Sequence, residues 1–151
     1  MSIVFATTID IDATPEQVWE VLSDFPAYGE WSNFSRVTGS PALGSKLKMR
    51  MPGFWFTSTV TQATPHEELR WSAKLFTAGL FLGEHDFTLI RKADGTTNVV
   101  NTETFSGSLT RPFEGLFARN HNEGGYATFN RALKSRVEGR TARSLQLAGN
   151  V

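Results

Sequence analysis

His85 and Glu103 are the two side chains whose types and spacing most directly suggest chemistry. Between them lies Ala93-Asp94-Gly95, a hairpin signature, and the geometry of that turn decides whether they meet. If the loop has three residues with Gly95 left-handed, Lys92 pairs with Thr96, and counting back places His85 opposite Glu103. His85, Phe87 and Leu89 then share a face with Val99, Asn101, Glu103 and Phe105. A two-residue Asp-Gly turn shifts the pairing by one and sends Glu103 to the face opposite His85. A glutamate on an otherwise apolar face is costly unless paired, and a neighbouring imidazole supplies both charge and a donor. Such a pair serves as a polar anchor or a general acid/base couple in an apolar pocket. The same contact also serves as a buried tie that does no more than fix sheet register.

The remaining reactive side chains point to less. His66 follows Pro65 in a turn and is expected in solvent, and His121 sits next to Asn120 on a helical stretch. Three dispersed histidines without His-x-His or His-x-x-x-His spacing predict no metal site. There is no phosphate-binding glycine loop, no dinucleotide fingerprint and no serine in a nucleophile-elbow setting. No cofactor is expected. Ser58 and Tyr28 carry hydroxyls that a pocket could use, but their settings are those of ordinary strand and turn residues.

The elements that must position these residues are written most clearly near the N-terminus. Thr14 is the expected N-cap, Pro15 the first helical residue, and Gln17 completes a capping box. Val18, Val21, Leu22 and Phe25 follow at helical spacing, and Phe25, Pro26, Tyr28 and Trp31 extend the apolar matter into a turn. Strands are expected over Ile3 to Ile11, Lys46 to Met51, Phe54 to Gln62, Glu67 to Leu75, Glu84 to Lys92 and Thr96 to Ser106, six or seven in all. In the segment Pro52 to Phe56, Trp55 cannot face inward if Phe54 and Phe56 do, so Trp55 is expected at the surface. It is read there as a half-buried edge residue, or as a contact for a partner subunit or a ligand entrance.

From Pro112 to about Glu138 the period is helical. The apolar stripe changes side at Gly124-Gly125, where two interior glycines cost roughly 2 kcal/mol against alanine. This reads as a kink or a close approach, with two separate helices as the alternative. Arg140 to Val151 is expected to fray. One domain over residues 1–140 with a tail over 141–151 accounts for the chain.

Lys and Arg total 15, as do Asp and Glu, so net charge steers the protein to neither nucleic acid nor an anionic surface. No run is long and apolar enough to cross a bilayer, and no secretory leader is evident, so neither membrane insertion nor export is expected. With no cysteine, a cytoplasmic location is expected. Twelve Phe and four Trp are many for 151 residues and imply either a bulky core or a lined cavity.

The segments IDATPEQVWEVLSDFPAYGEW, GEHDFTLI, ETFSG (Glu103 to Gly107) and YATFNRALKSRVE resemble the START-like helix-grip superfamily. Within it, the chain is similar to the polyketide cyclase/dehydrase and lipid-transport group (SRPBCC-type), over about residues 3 to 140. The resemblance implies an α+β fold: a strongly curved antiparallel sheet gripping a long C-terminal helix, with two short helices after the first strand and a hydrophobic cavity between sheet and helix. It also favours the register that joins His85 to Glu103. Relatives bind lipids, sterols, hormones or polyketides in that cavity, and a minority catalyse cyclisation or dehydration.

On this reading the cavity is lined by Trp31, Phe34, Leu47, Met49, Phe56, Trp71, Phe87, Leu89, Phe113, Leu116 and Phe117, with Asn101 and Asn120 as supporting polar contacts. The same positions would be plain core in another fold. The expected partner is a small hydrophobic ligand, bound by a monomer or homodimer. The expected activity is binding or transport, or, as the alternative, a cyclase or dehydratase using His85 and Glu103 as an acid/base pair. A protein-partner role is a third reading.

Overall fold

The computed structural model describes residues 2–74, 81–108, 110 and 125–150. The chain runs β1 (Ser2–Ile11), α1 (Pro15–Leu22), a 3-10 turn (Phe25–Ala27), α2 (Tyr28–Trp31), β2 (Arg36–Thr38), β3 (Lys46–Met51), β4 (Phe54–Thr64), β5 (Glu68–Lys74), β6 (Leu82–Arg91), β7 (Thr97–Ser106) and α3 (Gly125–Gly149). Among the described residues, seven antiparallel strands form one curved sheet in the order β1-β7-β6-β5-β4-β3-β2. This is the helix-grip architecture that the resemblance implied. The first strand of the chain pairs with the last, and the remaining strands follow as a meander.

α1 begins where the sequence writes its start. The Gln17 amide donates to Thr14 Oγ1 at 3.3 Å, and the Thr14 amide donates to Gln17 Oε1 at 2.9 Å, so each end of the capping box satisfies the other. The helix buries Pro15, Val18, Val21 and Leu22. Phe25 and Tyr28 continue this surface into the core and are fully buried. The Tyr28 hydroxyl donates to the Leu22 carbonyl at 2.5 Å, which ties the turn back to the helix end. That hydroxyl therefore serves the fold, since its proton is already committed to the backbone.

The hairpin between β6 and β7 takes the three-residue form. The Lys92 amide donates to the Thr96 carbonyl, Gly95 adopts φ +85°, and His85 stands opposite Glu103. β4 carries a register irregularity between Val60 and Gln62 against β5. A bulge of this kind adds local bend and twist to a strand.

Two expectations about the elements are corrected. β2 was not foreseen; it is three residues long, and only Val37 of the three is buried, which is too little alternation to read as a strand. Residues 140–149, expected to fray, are helical. They are mostly good helix formers, and Thr141 and Ser144 bond the carbonyls of Val137 and Arg140 along the same helix. The expected helical start from Pro112, its stripe change at Gly124, and Phe113, Leu116, Phe117, Asn120 and His121 lie outside the described residues. No described helix is long and apolar enough to cross a membrane.

α3 lies along β1. Phe129, Leu133 and Val137 are buried on it, while Lys134 Nζ donates to the Asp10 carbonyl at 2.9 Å and to Glu138 Oε1 at 2.9 Å. These contacts hold α3 against β1. One continuous apolar cluster results, containing Val18, Leu22, Phe25, Tyr28, Leu47, Met49, Trp71, Phe87, Phe129 and Leu133 among others.

Candidate functional site

The hairpin register turns His85 and Glu103 to one face, and His85 Nδ1 lies 2.9 Å from Glu103 Oε2. His85 is buried, 8% exposed. Its Nε2 lies 2.6 Å from Asn101 Oδ1. An amide oxygen only accepts, so Nε2 carries the proton on that side. Asn101 Nδ2 donates to Asn130 Oδ1 at 2.8 Å, and Asn130 Nδ2 donates to Thr7 Oγ1 at 2.8 Å. Glu103, His85, Asn101, Asn130 and Thr7 therefore form one chain of hydrogen bonds. It crosses from β7 to β6, back to β7, then to α3 and to β1.

Tyr126, one turn before Asn130 on α3, stands at the other end of the chain, where the Glu103 charge acts on it. Its ring stands edge-on to His85 with centroids 5.5 Å apart. Burial first, then the neighbouring Glu103 carboxylate, push its phenol well above the ordinary tyrosine value of 10.0. β6 offers room for the carboxylate at Gly83, where a Cβ would lie 3.3 Å from Glu103 Oε1 and 3.4 Å from the Phe105 ring. Phe87 stacks on His85 at 4.6 Å, and Trp71 lies 5.2 Å from it.

Both His85 nitrogens are thus engaged by protein groups. The ring cannot act as acid or base on a bound molecule without first giving up Glu103 or Asn101. Each link is worth about 1 kcal/mol net, but leaving one buried partner unpaired costs roughly 1–3 kcal/mol. That asymmetry holds the chain closed.

The expected lining residues gather around this polar chain. Phe87 packs on Phe129 at 5.3 Å, Trp31 on Phe129 at 5.2 Å, Phe34 on Phe129 at 6.2 Å, and Phe56 on Phe34 at 6.4 Å. Met49 and Leu47 are fully buried on β3 beside them. Leu89 is buried as well, yet it also borders a surface cleft of about 600 Å³ between the start of α1 and the β4–β5 turn, away from His85. His66 is exposed in that turn at φ +69° and meets Trp19 edge-on at 6.3 Å.

Two donors in this interior lack a partner among the described residues: the Trp31 indole N–H and the Ser58 hydroxyl. Trp31 was expected as a lining residue for its ring, and Ser58 was passed over. Asn130, Thr7 and Tyr126 were missed as site residues. Their signals were an asparagine inside the Phe129, Leu133, Val137 stripe, a tyrosine four residues before it, and a threonine on the inward parity of a strand that otherwise reads Ile3, Phe5, Ile9, Ile11. No group of three or more possible metal ligands gathers among the described residues.

A family model described as polyketide cyclase/dehydrase and lipid transport matches residues 2–138. No curated relative matches the sequence. Among solved structures, the Zhui aromatase/cyclase from a Streptomyces species aligns with TM-score 0.70 at 18% identity, over 93% of this chain and 96% of that one. A Staphylococcus aureus protein of unknown function aligns with TM-score 0.72 at 9% identity, over 94% and 97%. Norcoclaurine synthase from Thalictrum flavum aligns with TM-score 0.66 at 12% identity, over 91% and 87%. At these identities the structural likeness speaks for the fold.

Proposed function

Because the chain belongs to the polyketide cyclase/dehydrase and lipid transport family, we propose that it binds a small, largely apolar organic molecule with an oxygen acceptor, held between the sheet and α3. The unpartnered Trp31 N–H and Ser58 hydroxyl carry this reading. Buried donors left without acceptors cost roughly 1–3 kcal/mol each, and an oxygen-bearing ligand removes that cost. The aromatic cluster around Phe129 supplies the apolar surface that such a molecule needs. In this reading the Glu103–His85–Asn101–Asn130–Thr7 chain is a fixed polar wall, and binding rather than turnover is the activity.

The catalytic alternative assigns His85 a proton exchange with a bound carbonyl, with Glu103 orienting the ring. The hydrogen bonds at both His85 nitrogens weigh against it, and the likeness to an aromatase/cyclase keeps it worth testing.

Native mass spectrometry of the purified protein, together with displacement of a fluorescent naphthalene sulfonate probe, tests the binding reading. A co-purifying molecule or a displaceable probe is expected. Trp31→Phe and Ser58→Ala should each weaken binding of an oxygen-bearing ligand about five-fold, the loss of one hydrogen bond of about 1 kcal/mol. A protein that takes up no apolar probe would sink the binding reading. A His85→Ala variant that binds ligand but stops converting it would establish the catalytic one.

A further inference from the structure

Residues 31–66 contain Arg36, Lys46, Lys48 and Arg50 but no aspartate or glutamate. A chain of zero net charge therefore concentrates four cations in one stretch. The fold places that stretch at one end of the sheet, as β2, β3 and β4. Arg36 stands across from Arg50, and Arg50 across from Trp55. All four cations are exposed, and among the described residues no carboxylate pairs with them.

The hairpin tip that this charge flanks, Met51-Pro52-Gly53-Phe54-Trp55, carries no charge. Phe54 is 54% and Trp55 55% exposed. As consecutive strand residues they face opposite sides, so the tip is apolar on both. An apolar tip flanked by cations suits an interface that offers apolar depth and negative charge together, as an anionic headgroup layer does. Behind the tip, the Arg50 guanidinium lies 5.2 Å from the centre of the Trp55 ring. Lys48 follows about 7 Å further back along the strand, at about 3.3 Å per residue. The headgroup layer of one leaflet is roughly 6 Å deep, which matches that spacing, and tryptophan favours that layer.

We propose that this corner is a peripheral docking surface for an anionic lipid bilayer, with Phe54 and Trp55 seated among the headgroups and Arg36, Lys48 and Arg50 against lipid phosphates. The contact reaches headgroup depth and does not span the membrane. It stands on the tip and its cations and is independent of what the interior binds.

Flotation of the purified protein with phosphatidylcholine vesicles, with and without phosphatidylglycerol, tests it. Binding is expected only to the anionic vesicles, and it should fall as salt is raised. Combined Arg36→Gln, Lys48→Gln and Arg50→Gln substitution should weaken binding roughly a hundred-fold, about five-fold for each charge. Combined Phe54→Ser and Trp55→Ser should also weaken it, with the salt dependence retained. Arg140→Gln with Arg143→Gln, exposed cations far along α3, should leave it unchanged. All these positions are exposed, and circular dichroism confirms that each variant is folded. Equal binding to neutral vesicles, or undiminished binding by the triple variant, overturns the proposal. So does an absence of binding at low salt, which would leave the same cations to an acidic protein.

Discussion

Tyr28 and Tyr126 are the chain's two tyrosines, and both phenols are raised above 10.0, first of all by burial. The Asp24 charge adds to the effect at Tyr28, and the Glu103 charge at Tyr126. A raised folded-state value means that the native protein keeps both protons where the unfolded chain sheds them. Their contribution to stability is complete below pH of about 10 and is lost as pH rises beyond it, at about 2.7 kcal/mol per pH unit for two phenols. Tyrosinate absorbance should therefore appear together with unfolding, as one transition. Tyr126→Phe should roughly halve that slope, and an early independent rise in tyrosinate would contradict the burial of these rings. At this scale the sequence reduced the pairing of His85 with Glu103 to two registers set by the turn length, the family resemblance favoured the one that joins them, and the three-residue turn of the structure is that one. The sequence did not disclose Asn130, Thr7 or Tyr126 as their partners. Those contacts depend on how α3 settles against β1, which no local pattern specifies.

The hairpin that sets the site rests on Gly95, whose φ of +85° disfavours any residue with a side chain. A Cβ added there would meet nothing within 4 Å. Gly95→Ala should therefore cost about 1 kcal/mol through the backbone alone, read as a shift in the urea midpoint with an unchanged slope. A loss several times larger would mean that the loop changes length and carries Glu103 away from His85. Among the elements, the capped α1 and the alternating strands were legible because each carries its own start signal or period. β2 was not, since most of what makes it a strand is its pairing with β3. The extent of α3 was misread because exposed helix formers show no amphipathic stripe.

For the molecule as a whole, the last buried residue of α3 is Val137, and residues 142–150 are exposed, Leu145 and Leu147 included. A domain boundary near residue 140 predicts that ending the chain after Thr141 changes stability by less than about 0.5 kcal/mol, measured by denaturant unfolding. A larger loss would show that the distal helix packs on a surface of its own.

The pairing of β1 with β7 has a consequence in time. Thr7 reaches Asn130 across 123 residues of sequence, and Phe5 stands opposite Glu103. Contacts this distant must wait for the meander between them, since closing long loops is costly before other contacts hold. Asn130→Ala is thus expected to speed unfolding and leave the refolding rate unchanged in stopped-flow experiments. The hydrogen bonds that join α3 to β7 and β1 should therefore form after the meander, and a chain halted before Asn130 would lack them.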